Sequence, residues 1–76
     1  MPKLPAVTGA EVVRALKRAG FYFRRQAGSH VILSDPGRRH RVSVPCHSGH
    51  TLSRGILHDI IKQAGLTAEE FVRFLD

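Results

Sequence analysis

The stretch FYFRRQAGSHVILSDPGRRHRVSVP, residues 21–45, decides the fold of this chain. Apolar and polar side chains alternate in its first and last runs, as is typical of half-buried β-strands, and the apolar run Val31-Ile32-Leu33 lies between them. The runs predict strands over residues 21–26, 29–34 and 40–44. Pro45 ends the third strand because proline has no N–H to donate to a strand ladder.

Tight turns join these strands. Ala27 and Gly28 form the first turn, and the sequence DPGRR at residues 35–39 forms the second. Pro36 presets one turn dihedral, and Gly37 is expected to supply the left-handed conformation. Strands that follow one another through tight turns pair as an antiparallel meander.

The first strand is expected to bury one face. Phe21 and Phe23 alternate with Tyr22 and Arg24, so the phenylalanines should face the core. The same alternation in the third strand involves Arg41, Val42, Ser43 and Val44.

A helix precedes the meander. Thr8 and Glu11 form a capping box, in which each side chain satisfies a backbone amide of the other residue. Apolar residues then follow at helical spacing, and Gly20 stands where a helix stops. The pattern predicts a helix over residues 8–19.

Two helices follow the meander. Ser53 caps the first, which Gly65 closes, and Thr67 with Glu70 forms a second capping box that opens a short last helix. The apolar stripe of the longer helix consists of Ile56, Leu57, Ile60, Ile61 and Ala64.

The order of elements predicts an α+β fold, α-β-β-β-α-α, as one domain over residues 1–76. Its three-stranded antiparallel sheet should be covered by the helices on one face and open on the other. This is the architecture of double-stranded-RNA-binding domains, although a fold does not by itself specify a function.

Charge indicates the class of partner. The chain has 12 Lys and Arg against 6 Asp and Glu, which gives a net charge of +6 on 76 residues. A field of this size favours a polyanionic partner, with nucleic acid first and an acidic protein second. The alternative is a solvated surface that merely carries an excess of base.

The single cysteine, Cys46, excludes an intramolecular disulfide and fits a reducing compartment. The N-terminal residues lack the apolar run of a signal peptide, and no stretch is long enough to span a membrane. We therefore expect a cytoplasmic protein that does not bind membranes.

Several kinds of active site find little support. Cys46, His47 and His50 lie close together in one loop, but their spacing matches no established zinc pattern. Ser29 and His30 are neighbours on a strand, so their side chains point to opposite faces and cannot pair with each other. There is no glycine-rich phosphate loop, and we expect neither a metal nor a cofactor.

A ribonuclease has simpler requirements. The RNA 2′-hydroxyl is a built-in nucleophile, so the protein must supply proton transfer and cations near the phosphate. Histidine suits proton transfer because it titrates near neutrality, and His30 and His47 are the candidates. The candidate RNA-binding cations are Arg24, Arg25, Arg38, Arg39, Arg41 and Lys62.

Structural explanations remain open for two of these residues. His30 shares a strand face with Ile32 and could simply pack beside it, while Lys62 with its neighbour Gln63 could be an ordinary solvated helix surface.

Three segments, taken together, resemble the HicA family of bacterial toxins, which are small mRNA interferases of type II toxin–antitoxin systems. They are RQAGSHVIL at residues 25–33, VPCHSG at 44–49 and LSRGILHDIIKQAGLTAEEF at 52–71. The resemblance extends from about Thr8 to Phe71, nearly the whole chain.

The resemblance implies a fold like that of double-stranded-RNA-binding domains and ribosome-independent cleavage of mRNA. It implies that His30, in the Gly-Ser-His element, is catalytic, with Ser29 and His47 as auxiliary candidates. It further implies neutralisation by a HicB-type antitoxin that buries the active surface of the toxin. The alternative function is a non-catalytic module that binds RNA or protein through the same fold.

Overall fold

A computed structural model of the chain describes residues 3–37 and 39–75. It confirms the predicted α+β fold and the element order α-β-β-β-α-α. The elements are α1 (Gly9–Arg18), β1 (Tyr22–Ala27), β2 (His30–Ser34), β3 (Arg41–Pro45), α2 (Arg54–Gln63) and α3 (Ala68–Phe74).

Helix α1 begins at the predicted capping box. The Thr8 hydroxyl accepts the backbone N–H of Glu11 at 3.2 Å, and the Thr8 N–H donates to the Glu11 carboxylate at 2.9 Å. The helix ends at Arg18 with Ala19 as its C-cap, and Gly20 takes a φ of 103°, which only glycine adopts without strain.

The first turn of α1 lies against the end of β3. A Cβ built at Gly9 would overlap the carbonyl oxygen of Pro45 and would lie 2.9 Å from both Cα and Sγ of Cys46. Glycine at this position therefore sets how closely the helix approaches the strand and the loop after it.

Helices α2 and α3 also begin at their predicted caps. Ser53 accepts the N–H of Ile56, and Thr67 forms the second capping box with Glu70. Within the described residues, no helix is long and apolar enough to cross a membrane.

The sheet is an antiparallel meander in the order β1-β2-β3. Val31 pairs with Val44 and Leu33 with Val42, and these four residues face the helices. The buried core between helices and sheet consists of Val7, Val12, Ala15, Leu16, Phe21, Leu33, Val42, Val44, Leu57, Ile60, Ile61, Ala64 and Phe71.

The other side of the sheet carries no helix in the described part of the chain, and we call it the open face. Strand alternation and register assign its residues. They are Tyr22, Arg24, Arg25, Ala27, His30, Ile32, Ser34, Arg41, Ser43 and Pro45.

The prediction that β1 buries Phe23 is wrong. Phe21 is buried just before the strand, but every residue of β1 is exposed, and Phe23 is 50% exposed. The reason is position, because β1 is an edge strand and Phe23 lies beyond the cover that the helices provide. The register also shifts between Phe23 and Arg25, which marks a β-bulge at Arg24.

The two hairpin turns differ in conformation. Gly28 has a φ of 60°, as the tight first turn requires. The second turn forms where predicted, but Gly37 is not in the left-handed conformation, so that expectation is wrong. The backbone N–H and Nδ1 of His40 donate to the carboxylate of Asp35, each at 3.1 Å, and these hydrogen bonds join the two ends of the turn.

The Asp35–His40 pair makes stability dependent on pH. The side-chain hydrogen bond from His40 is the main cause that lowers the pKa of Asp35 below its ordinary value of 3.8. A lowered pKa in the folded state contributes stability above the unfolded value, and this contribution is lost as the pH falls through the folded value.

We expect Asp35→Asn to lose less stability than the parent as the pH falls below about 4, where the lowered pKa of Asp35 in the parent begins to matter. Urea unfolding at a series of pH values measures this difference. Asp59→Asn, at an exposed position on α2, is the matched control and should follow the parent. Parallel curves for the parent and Asp35→Asn would contradict the prediction.

Candidate active site

His30 is the first residue of β2, directly after the turn that Gly28 forms. It pairs with Ala27 on one side and Pro45 on the other, and its side chain is exposed on the open face. The His30 side chain shares the open face with Ile32, as expected, but it is not buried beside that residue. The ring is accessible to a bound molecule.

The start of β2 is joined to the loop after β3. The N–H of Cys46 donates to the carbonyl of Ser29 at 2.7 Å, which extends the ladder beyond the His30–Pro45 pair. The Ser29 hydroxyl lies 3.4 Å from Nε2 of His47, a long hydrogen bond whose donor depends on the imidazole tautomer. The ladder therefore brings all three sequence candidates, His30, Ser29 and His47, to one end of the sheet.

The loop that carries His47 borders a pocket of about 330 Å³. Cys46 is half-buried there, and burial raises the pKa of its thiol, so the thiolate needed for nucleophilic attack is disfavoured. The rings of His47 and His50 lie 6.2 Å apart. No group of three or more His, Cys, Asp or Glu within residues 3–37 and 39–75 could hold a metal ion. The pocket lining consists of Thr8, Ala10, Cys46, His47, Ser48 and Gly49.

A second pocket, of about 160 Å³, lies on the open face and is lined by Arg24, Arg25, Ile32 and Arg41. We call it the arginine pocket. Ile32 is only 7% exposed, yet it does not belong to the core cluster on the helix side. It is instead the apolar residue that lines the arginine pocket, and the aliphatic stems of the neighbouring arginines account for its low exposure. Such a site offers charge to a phosphate and an apolar surface to a base or sugar.

The bulge in β1 explains why two consecutive arginines line one pocket. In a regular strand, neighbouring side chains point to opposite faces, so Arg24 and Arg25 would separate. The extra residue at the bulge interrupts the alternation, and both arginines reach the open face. The sequence singles out these residues by charge but gives no sign of the bulge.

The other predicted cations do not join this pocket. Arg39 is exposed in the turn between β2 and β3. Lys62 is exposed on α2, in the helical layer, and so lies on the other side of the sheet from the pocket. Arg38 lies outside the described residues.

Sequence reasoning missed one residue of the arginine pocket, Ile32, and one contact between two predicted residues, Ser29 and His47. Ile32 looks like a core residue because it stands in the apolar run Val31-Ile32-Leu33. The Ser29–His47 contact joins residues that are 18 positions apart, and only the register of β2 with β3 brings them together. Counting outward from the predicted second turn pairs Ser34 with His40, one residue away from the observed Ser34–Arg41 pair, so the prediction did not reach this register.

Comparison with protein families gives one match. The model of a family described as the HicA toxin of bacterial toxin–antitoxin systems matches residues 9–66, about three quarters of the chain. The matched segment includes β1 to β3, the Ser29–His47 contact and the arginine pocket. A search of curated proteins finds no match.

Proposed function

The chain belongs to the HicA family of bacterial toxin–antitoxin toxins, and from this premise we propose that it is an mRNA-cleaving endoribonuclease with His30 as its catalytic residue. The main support for the proposal is the position of His30 relative to the arginine pocket. An exposed histidine lies on the same sheet face as a pocket of three arginines, which begins one cross-strand row away at Arg25 and reaches Arg41 in the row after it.

The proposed reaction is a transesterification within the RNA. The 2′-hydroxyl loses its proton to a general base and attacks the adjacent phosphorus, while a general acid gives a proton to the departing 5′-oxygen. The products are a 2′,3′-cyclic phosphate and a 5′-hydroxyl, so no oxidant, metal or cofactor is needed to balance the step. His30 takes one of the two proton-transfer roles.

His47 is the candidate for the second proton-transfer role. It lies at the same end of the sheet as His30, because His30 pairs with Pro45 and His47 follows two residues later, in the loop after β3. The hydroxyl of Ser29 is within reach of Nε2 of His47 and orients that ring, so we assign Ser29 as a positioning residue. An exposed imidazole needs such a partner, since its free rotation would otherwise oppose alignment with the phosphate.

The arginine pocket binds the RNA backbone next to the scissile bond. Guanidinium groups form forked hydrogen bonds to phosphate oxygens, and they stabilise charge that builds up in the transition state. Arg39, and Arg38 beside it in sequence, contribute to long-range attraction of the polyanion, as does Lys62 from the other layer. Because such binding releases counterions, it should weaken steeply with salt.

Membership of the family implies an antitoxin partner, and we propose that it is an acidic HicB-type protein that covers His30. A positive open face with an accessible histidine suits a negatively charged partner, since complementary charge speeds association. A stable complex in which His30 keeps its full accessibility to diethylpyrocarbonate would contradict this proposal.

The test of the function is cleavage of a defined single-stranded RNA by purified protein in excess EDTA. We expect cleavage to continue, because the proposed chemistry uses only the histidines, the arginines and the RNA itself. The products should carry cyclic phosphate and 5′-hydroxyl ends. The same RNA with a single 2′-deoxy nucleotide before the scissile phosphate is the matched substrate and should remain intact.

The outcomes separate the candidate functions. RNA that stays intact with and without chelator indicates the non-catalytic binding module. Cleavage that stops on chelation indicates metal-dependent hydrolysis, and cleavage of the 2′-deoxy substrate excludes attack by the 2′-hydroxyl.

A further inference from the structure

The open face is ordered along the strand direction into three cross-strand rows. His30 lies in the first row, Ile32 in the second as the apolar residue of the arginine pocket, and Tyr22 beside Ser34 in the third. The first and third rows are separated by four residues of β2, which is about 13 Å at the usual rise of a strand. The proposed proton-transfer residue His30, the arginine pocket and the ring of Tyr22 therefore follow one another along the strands.

Tyr22 is the aromatic side chain of this series. It is 37% exposed, and its pairing with Ser34, which in turn pairs with Arg41, places it on the open face. Exposed aromatic rings next to arginines are the means by which proteins bind single-stranded nucleic acid, since bases stack on the ring while cations hold the backbone.

We propose that Tyr22 is a base-stacking platform, and that single-stranded RNA runs along the strands from Tyr22 across the arginine pocket to His30. The proposal rests on the proposed function and adds to it a path for the substrate and a residue that contacts a base. The base that stacks on Tyr22 then lies a fixed number of nucleotides from the scissile phosphate at His30.

The chemistry favours single-stranded RNA over the other polyanions. The bases of a duplex are stacked on each other and present no free face, whereas unpaired bases can spread onto a protein ring. An acidic peptide would satisfy Arg24, Arg25 and Arg41 but would gain little from an aromatic ring. The combination of ring and guanidinium groups therefore fits a ligand that has both bases and phosphates.

The composition of the chain gives a direct signal for this test. Tyr22 is the single tyrosine, and there is no tryptophan, so tyrosine emission reports on this residue alone. The full chain with His30→Ala serves as the binding protein, because it should hold the RNA without cutting it. It is titrated in parallel with a short single-stranded RNA and with heparin, a polyanion that has no bases.

We expect RNA to quench the tyrosine emission and heparin to leave it nearly unchanged. In the His30→Ala background, Tyr22→Ala lacks the tyrosine signal, so its binding is followed with labelled RNA and labelled heparin. The substitution should weaken RNA binding by roughly 5- to 150-fold, the range of stacking on one aromatic side chain, and should leave heparin binding unchanged. Tyr22→Phe keeps the ring and should bind RNA like the parent.

Phe23 provides a matched control. It is the next residue on the same edge strand and is more exposed than Tyr22, but it faces the helix side of the sheet. Phe23→Ala should leave RNA affinity unchanged. RNAs that each have one abasic nucleotide at a different position provide a further check. One of these positions should weaken binding to the protein that keeps Tyr22, and the same RNA should bind Tyr22→Ala no more weakly than the intact RNA does.

Several results would overturn the proposal. The first is an RNA affinity that does not change in Tyr22→Ala, and the second is a loss of heparin affinity in Tyr22→Ala as large as the loss of RNA affinity. The third is an equal loss of RNA affinity in Phe23→Ala. The fourth is quenching of the tyrosine emission by an acidic polypeptide, which would indicate a protein contact. If one of these results is found and the chain with His30 intact still cleaves RNA, the proposed function stands and only the stacking role of Tyr22 is wrong. If neither protein binds or cleaves RNA, the proposed function fails and the stacking role fails with it.

Discussion

His30→Ala should abolish measurable RNA cleavage and leave the protein folded. A positioned acid or base typically contributes about 100- to 10 000-fold to a rate, so single-turnover cleavage should slow by that factor. The side chain is exposed, and substitutions at exposed positions usually change the free energy of unfolding by less than about 0.5 kcal/mol. The loss should therefore appear in the cleavage rate and not in the melting temperature.

His58→Ala is the matched control for this experiment. His58 is also an exposed histidine, but it lies on α2 in the helical layer, away from the open face. Its substitution should change neither the cleavage rate nor growth inhibition on expression. If His30→Ala cuts RNA and stops growth as the parent does, His30 is not the catalytic residue.

Gly9→Ala should destabilise the protein strongly, although alanine favours a helix. A Cβ at this position meets the backbone of Pro45 and Cys46, which cannot turn aside as a flexible side chain would. Overpacking of this kind costs about 1–3 kcal/mol or more, which outweighs the gain of up to about 1 kcal/mol in helix propensity. We expect a net loss near 2 kcal/mol, or about 8–16 °C in melting temperature for a domain of this size.

Gly55→Ala makes the same substitution in the first turn of α2 and should have the opposite sign. A Cβ there meets no atom within 4 Å, and the backbone does not need a positive φ. Only the propensity gain remains, so stability should rise by a few tenths to 1 kcal/mol. Thermal unfolding of both variants by circular dichroism makes the comparison, and equal stability of Gly9→Ala and the parent would refute the close packing.

The fold could be predicted because its signals are local. Thr8 with Glu11, and Thr67 with Glu70, fix the starts of two helices through contacts three residues apart, and each capping box forms as expected. Gly28 marks a turn that needs a positive φ. The order of elements then follows from short connections, which leave a meander as the simplest arrangement.

The candidate site could be predicted by residue type but not by arrangement. Charge singles out Arg24 and Arg25, yet only the bulge places both on the open face. Alternation assigns Phe23 to the core, but the helices do not extend over the edge strand to cover it. A bulge and the limits of a helical layer depend on packing between distant segments, and no pattern within β1 records them.

The bulge at Arg24 also bears on how this protein behaves at high concentration. An exposed edge strand offers free N–H and C=O groups on which another chain can extend the ladder, and this is a common route to aggregation. In β1 the irregular register at Arg24 interrupts the row of backbone groups, and two adjacent positive charges repel an identical edge. The same distortion that brings the two arginines to one face of the sheet is therefore expected to disfavour edge-to-edge pairing between copies of the chain.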